Sequence, residues 1–317
     1  MYETFRQCWV GETRLETNRS VHAVEVKDVS KSFNGRKVVD RLSFDVAPGE
    51  VFGLIGPNGA GKTTTIRIMM DIIKPDAGEV NVFGRRLDED AKNIIGYLPE
   101  ERGLYRKTSV IDSLAYLGSL KGMDIRKART RADELLRRVS MAAHRTKKVE
   151  ELSRGMSQIV QFLVTIIHEP QLLILDEPFA NLDPVNSELM KEIVVELKKQ
   201  GEAIILSTHR MNDVEELCDR VLMIDRGQRV LYGALAEIKA RYRGNSVVLE
   251  YQGTLGRIKG VSSTNEHGKY LELALDGDTS PQDVLRQLAG QQVSVSRFEI
   301  GTPSLQEIFL RVVKNEQ

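Results

Sequence analysis

The octet Gly56-Pro57-Asn58-Gly59-Ala60-Gly61-Lys62-Thr63 constrains this chain more than any other feature, because it satisfies G-x-x-x-x-G-K-[ST]. It stands between Val51-Phe52-Gly53-Leu54-Ile55, predicted as a short buried strand, and a helix-compatible run from Thr64 to Ile73 that ends before Pro75. A strand, a glycine-rich turn and a helix in that order form a phosphate cradle. The glycines let backbone N–H groups close around phosphate oxygens, and the helix N-terminus adds its orphan donors and dipole. Lys62 supplies positive charge to β- and γ-phosphates, and the Thr63 hydroxyl suits Mg²⁺. A glycine-rich turn alone is only a turn, whereas the whole series implies nucleoside triphosphate binding by residues Gly56 to Thr64.

A second apolar run, Leu172 to Leu175, ends in Asp176-Glu177. Unpaired carboxylates inside a sheet are expensive, so both are expected at the open C-terminal end of a strand, facing a cation or a substrate. Asp176 suits a Mg²⁺ shell, directly or through water, and Glu177 suits positioning and deprotonation of an attacking water. Another strand is expected at Ala203 to Leu206, after a helix from about Asn186 to Gln200 that Gly201 terminates. Strands alternating with helices predict an α/β fold with a largely parallel sheet. Upstream, the alternation through Val24, Val26 and Val29 and through Leu42, Phe44 and Val46 predicts an antiparallel β element closed by Pro48-Gly49.

The length of 317 residues points to about two domains. Lys plus Arg equals Asp plus Glu at 45 each, so no global basic field exists to hold nucleic acid or an anionic membrane. The segment Lys121 to Lys148 is locally basic, with ten Lys or Arg against three acids; it reads as solvated helix faces, or more sharply as a headgroup or partner contact. Ahead of it Ser109-Val110-Ile111-Asp112 forms a capping-box pattern, with Ile111, Leu114, Ala115, Leu117 and Leu120 on one helical face. Cys8 and Cys218 are too few for a disulfide framework and read as inert thiols of a reducing interior. No apolar run approaches the roughly 18 to 20 residues that span a bilayer, and Met1 to Ser20 has no apolar signal core, so neither a membrane span nor a signal peptide is expected. Residues 1–22 are an extension of unassigned role. Residues 23–240 form the nucleotide-binding domain, with a helical subdomain at about 100–168. Strands at Val247 to Tyr251, Tyr270 to Leu275 and Val293 to Phe298, with helices at Pro281 to Ala289 and Ser304 to Val313, predict a small α+β domain over 245–317, joined near Arg243-Gly244-Asn245.

Between Val24 and Gly233 an ordered series of motifs resembles the ATP-binding subunit of an ABC transporter. Leu152-Ser153-Arg154-Gly155-Met156 stands where that family has its L-S-G-G-Q signature, ahead of the Asp176-Glu177 strand. Ala180-Asn181-Leu182-Asp183 resembles the loop after the catalytic glutamate, Ser207-Thr208-His209 the switch histidine, and Phe33 the aromatic that stacks on adenine. The resemblance implies a phosphate-loop ATPase cassette with ATP and Mg²⁺. Two subunits, identical or different, would then sandwich ATP between the phosphate loop of one and Ser153 and Gly155 of the other, with Asp183 beside the nucleotide and His209 on the γ-phosphate. It also implies a separate integral membrane permease as partner, received by the helical segment after Glu100, and a peripheral place on the inner face of the cell membrane.

Departures from the family pattern are specific. Its glutamine between the subdomains corresponds to Glu100 in Gly96-Tyr97-Leu98-Pro99-Glu100, which can still ligate Mg²⁺ but adds a negative charge beside the triphosphate. Arg154 and Met156 replace the signature's first glycine and its glutamine, while Ser153 and Gly155 keep the donors. These variants, with Pro99-Glu100-Glu101-Arg102-Gly103-Leu104-Tyr105 and a tail ending Thr302-Pro303-Ser304-Leu305-Gln306-Glu307-Ile308-Phe309, resemble the branch that includes sodium-efflux-type subunits paired with ABC-2-like permeases. The expected function is an ATPase powering a separate exporter, for sodium ions or another small substrate. The alternative is a soluble ABC ATPase acting on nucleic acid or ribosomes, supported only by the basic segment.

Overall fold

A computed structural model describes residues 22–101, 103–180, 182–242, 246–266, 270–276, 279–301 and 304–315. The extension over residues 1–21 with Cys8, and also Arg102, Asn181, the joint at Arg243-Gly244-Asn245 and Thr302-Pro303, lie outside the described residues. The chain divides into two compact units, with the boundary between Tyr232 and Gly233.

In the first unit β1 (Val24–Phe33) and β2 (Arg36–Val46) pair antiparallel. Asn34 and Gly35 join them, both at positive φ (50° and 77°), as a two-residue hairpin turn of the right twist requires. After β3 (Val51–Ile55) and α1 (Lys62–Met69), β4 (Ala77–Val82) returns antiparallel to β1, giving a sheet of order β2-β1-β4. Then come α2 (Glu89–Lys92), β5 (Ile95–Leu98) and three helices, α3 (Val110–Leu120), α4 (Ile125–Arg138) and α5 (Arg154–Ile166). The unit continues with β6 (Leu172–Asp176), α6 (Pro184–Gln200), β7 (Ala203–Thr208), α7 (Met211–Leu217), β8 (Arg220–Asp225) and β9 (Gln228–Ala234), the last crossing the boundary.

The second sheet has the order β5-β6-β7-β3-β8-β9, and its first five strands pair in parallel. Every residue of β3, β6 and β7 is buried, which is why these strands read as unbroken apolar runs rather than alternations. One face of this sheet, through Phe52, Leu54, Ile174, Ile205 and Leu222, shares a core with α1 residues Ile66 and Met69 and with the inner face of the three-stranded sheet at Val24, Val26, Leu42 and Phe44. On the other face α7 comes so close to Gly53 that a Cβ there would stand 3.0 Å from Cys218 Sγ and 3.3 Å from Val214.

α1 ends four residues earlier than the expected Ile73, because Asp71 adopts φ 57°, a left-handed conformation that a short acidic side chain tolerates and a helix cannot continue through. In α3 the Ser109 hydroxyl caps the Asp112 N–H as expected, and Ile111, Leu114 and Ala115 are buried. Leu120 is 59 % exposed, however: at 3.6 residues per turn it lies on the side opposite Ile111. The basic segment is paired locally, Arg129 with Asp112 at 2.5 Å, Arg131 with Glu134 at 3.2 Å, Arg145 with Asp133 at 3.4 Å and Arg138 with Glu196. Such exposed pairs add little stability. They engage four of the segment's ten basic side chains.

The second unit contains α8 (Leu235–Arg241), β10 (Ser246–Gln252), β11 (Val261–Glu266), β12 (Leu271–Leu275), α9 (Pro281–Ala289), β13 (Ser294–Ile300) and α10 (Leu305–Asn315). Its sheet is antiparallel, of order β11-β12-β10-β13, and Val247, Leu249, Leu271 and Leu273 pack with Val284 and Leu288 of α9. β11 carries the sequence Val-Ser-Ser-Thr-Asn-Glu and is exposed almost throughout, so no apolar alternation announces this edge strand. α8 falls in this unit, ahead of the joint expected at 243–245.

Candidate functional site

Because β3, β6 and β7 run parallel, their carboxyl ends share one edge of the sheet. Register makes that edge level: Ile55 lies beside Thr208, and Asp176 beside Ser207. The glycine-rich octet, the two acids and His209 therefore emerge side by side, as the rule for ligand sites in open α/β sheets expects. Five of the octet, both acids and His209 line one cleft of about 330 Å³, walled by Asn58, Gly59, Gly61, Lys62, Thr63, Thr64, Glu100, Asp176, Glu177 and His209, together with Val38 and Ala180.

The loop conformation depends on two glycines. Gly56 has φ 152° and a Cβ there would fall 2.2 Å from the Ile224 carbonyl oxygen; Gly61, the left-handed residue opening α1 at φ 110°, would place one 2.5 Å from the Val38 carbonyl oxygen. Gly56→Ala is accordingly expected to lower folding stability by about 1 to 3 kcal/mol through overpacking against backbone, read as a drop in urea midpoint without a change in slope. An unchanged midpoint would show that the loop relaxes freely.

Inside the loop Lys62 is buried, and its ammonium donates to the carbonyls of Gly56 at 2.8 Å and Pro57 at 3.2 Å. Burial pulls its pKa below the ordinary lysine value, opposed by the carboxylates of Glu177, Asp176 and Glu100. A polyanion in the cleft would favour the charged form, so the site is electrostatically prepared for phosphates. Asp176 is 1 % exposed, its carboxyl pushed above the usual range mainly by burial, and it accepts from the Thr63 hydroxyl at 3.1 Å. A buried carboxylate against a hydroxyl on the wall of a phosphate-binding cleft is a donor set that fits Mg²⁺, which takes one or two carboxylates and fills the rest of its octahedron with other oxygens, phosphate and water among them.

Glu177 is the most constrained residue of the cleft. It has φ 49°, a backbone region uncommon outside glycine, and its N–H donates to the Ser207 carbonyl at 2.9 Å. Both carboxylate oxygens are held: Oε2 accepts from the Thr208 hydroxyl at 3.2 Å, while Oε1 accepts from the His209 N–H at 3.1 Å and meets His209 Nδ1 at 2.7 Å. Strain of this kind clusters at functional sites, and here it turns an acid from a buried strand end into the cleft. Arg210, next in the chain, reaches the Phe179 carbonyl at 3.4 Å and Asp213 at 3.2 Å, so the segments after Glu177 and after His209 are also joined behind the site.

Seven expected site residues stand apart from this lining. Phe33 is 42 % exposed at the end of β1, with the Lys31 ammonium 5.6 Å from its ring centre. Ser153 is exposed and caps α5 by accepting from the Met156 N–H at 3.2 Å, with Gly155 in the first turn. Asp183 caps α6, accepting from the Asn186 N–H at 3.0 Å and its side-chain amide at 2.6 Å. Gly56, Pro57 and Ala60 shape the loop from behind: the first two supply carbonyls to Lys62, and the Ala60 carbonyl accepts from Gly227 at 2.9 Å. Val38 is a wall residue that motif reading did not find, and Ala180, which opens the motif after Glu177, was not expected to line the site. Val38 comes from β2, and its place at the cleft depends on a contact that no local pattern records.

Comparison with known proteins identifies the family. Residues 39–180 match the ABC transporter family, and residues 233–313 match the C-terminal domain of DrrA1-3-like ATP-binding proteins. The chain is 40 % identical to the ABC transporter ATP-binding protein YhaQ of Bacillus subtilis (strain 168), over 91 % of this chain and 97 % of that protein. It is 32 % identical to the Nod factor export ATP-binding protein I of Rhizobium etli, over 96 % and 98 % of the two chains. A solved structure of the ATP-binding subunit of an ABC transporter superposes with a TM-score of 0.65 at 31 % identity, covering 69 % of this chain and 93 % of that one. Among the described residues no helix is long and apolar enough to cross a membrane. The chain belongs to the ATP-binding subunits of ABC transporters, which hydrolyse ATP to power transport.

Proposed function

We propose that this subunit drives export through a separate ABC-2-like permease, from a peripheral position on the inner face of the cell membrane, with a sodium ion or another small substrate as cargo. The observation that carries the reading is the division of the site. Lys62, Thr63, Asp176, Glu177 and His209 meet in one cleft, whereas Ser153 and Gly155 stand at an exposed helix start outside it. A facing ATP-binding subunit, identical or different, would bring its own Ser153 and Gly155 to the phosphates. The Ser153 oxygen accepts from Met156, which leaves the hydroxyl proton for a phosphate oxygen. Export is supported by the relative named for Nod factor export.

Within the cleft the amides of Gly56 to Thr64 and the Lys62 ammonium bind the β- and γ-phosphates, and Phe33 offers its exposed ring to adenine. Mg²⁺, held by Thr63, Asp176 and Glu100, would neutralise charge on the phosphates. Glu177 orients the attacking water and takes its proton, and His209 fixes the carboxylate through Nδ1 with its ring half exposed toward the cleft. Asp183, spent on capping α6, sets the start of that helix beside the nucleotide.

Inside-out vesicles holding this subunit and a candidate ABC-2-like permease are expected to accumulate Na⁺, read by an entrapped sodium indicator, only when MgATP is supplied. ATP-driven uptake of another solute without Na⁺ would replace the cargo. Failure of the two proteins to co-purify, with no ATP-dependent uptake, would overturn the permease partnership.

A further inference from the structure

α5 carries two buried carboxamides three residues apart, hence on one face, and each reaches a loop that bears an acid of the cleft. Gln158, 8 % exposed, donates through Nε2 to the Pro178 carbonyl at 3.1 Å, one residue past Glu177. Gln161, 5 % exposed, donates through Nε2 to the carbonyls of Pro99 at 3.4 Å and Glu101 at 3.0 Å. The second arrangement is the more specific one. A primary amide has two N–H donors, and both are used on the two residues that flank Glu100. Glu100 itself is exposed on an irregular connection after β5, without helix or strand to hold it, yet it lines the cleft with Lys62 and Asp176. One buried side chain thus clamps the backbone on either side of an otherwise unsupported carboxylate.

We propose that Gln161 is a positioning residue that presents Glu100 to the metal-bearing side of the nucleotide, with Gln158 doing the same for Glu177 from one turn earlier. The assignment rests on the proposed role of Glu100 as a Mg²⁺ ligand. An outer residue that orients a metal ligand is typically worth 10- to 100-fold in metal affinity or activity. Since α5 begins at the Ser153 cap, the helix that would face an opposing subunit is also the support from which both acid-bearing loops hang.

The test is titration of a fluorescent ATP analogue into the full-length chain, in Mg²⁺ and in EDTA. Gln161→Leu is expected to weaken binding about 10-fold in Mg²⁺ and to leave binding in EDTA unchanged. Glu100→Ala should likewise weaken binding in Mg²⁺, while in EDTA it should bind no more weakly than wild type because a carboxylate beside the phosphates is gone; in Mg²⁺ the double variant should be no weaker than the weaker of the two single variants. Gln158→Leu should leave both affinities intact and lower phosphate release at saturating ATP, a split that general loosening of the fold would not produce. An equal loss in EDTA, additive losses in the double variant, or wild-type Mg²⁺ dependence in both Gln161→Leu and the milder Gln161→Asn would overturn the assignment. Lys62→Ala separates the two levels. If it binds the analogue like wild type, the cleft reading itself fails; if it does not bind while Gln161→Leu behaves as wild type, only the role of Gln161 fails.

Discussion

Glu177→Gln is expected to bind ATP as tightly as the wild type and to release phosphate about 10² to 10⁴-fold more slowly, the range associated with loss of a positioned general base. The substitution is nearly isosteric, and the surroundings can accept it. With its carbonyl oxygen toward His209, the new amide still accepts the backbone N–H that now meets Oε1 at 3.1 Å, and its NH₂ faces the Thr208 hydroxyl. That hydroxyl oxygen already accepts from the Arg210 N–H at 3.1 Å and has a second lone pair free to accept the amide. The fold and the φ of 49° at this position are therefore retained, and what disappears is the capacity to take a proton from water. Phosphate release measured beside nucleotide titration checks both halves. Near wild-type turnover would move the base elsewhere, and lost binding would make Glu177 a structural residue.

Lys62→Ala is expected to lose ATP affinity by about 100-fold or more, since a charge-assisted hydrogen bond of about 3 kcal/mol disappears and each 1.4 kcal/mol is tenfold. The loss is compounded by what remains: without the ammonium, Asp176, Glu177 and Glu100 face the triphosphate, and among the described residues no other lysine or arginine lines the cleft. The nucleotide-free fold should not suffer in proportion. Burial already disfavours the charged lysine, so its removal relieves a desolvation cost while losing two bonds to loop carbonyls. Thermal unfolding should show an apo transition close to wild type and no ATP-dependent rise, because a ligand stabilises only the state that binds it. Lys62→Arg should not restore binding, as the planar guanidinium does not fit a loop that closes on a compact ammonium. Wild-type affinity in Lys62→Ala would place the triphosphate somewhere other than this cleft.

Many of the residues that line the cleft were legible in the sequence, for a physical reason. The phosphate loop is a local object: its glycines, its lysine and the helix it opens are consecutive, so Gly56 to Thr64 can be read without knowing any distant contact. Asp176 and Glu177 were legible because two carboxylates closing a fully apolar strand have few places to go other than its open end. Local capping rules likewise placed Ser109 before α3 and Gly201, at φ 101°, after α6. Patterns weak in local signal were not legible. The polar edge strand β11 carries no alternation, the left-handed Asp71 cuts α1 short without a proline or glycine to mark it, and the unit boundary ahead of α8 has no break in composition.

What the sequence by itself determined is which groups are available: a loop of amides with one lysine, a hydroxyl, two strand-end acids and a histidine, each specified by neighbours within a few residues. What only the tertiary structure decided is their convergence. The parallel register that sets Ile55 beside Thr208 and Asp176 beside Ser207, the two-oxygen grip of Thr208 and His209 on Glu177, and the Gln161 amide closing on both sides of Glu100 join residues far apart in the chain. Such contacts follow from how sheets and helices pack, where the relevant neighbour is set by burial and register rather than by sequence distance, and no local pattern encodes that neighbour.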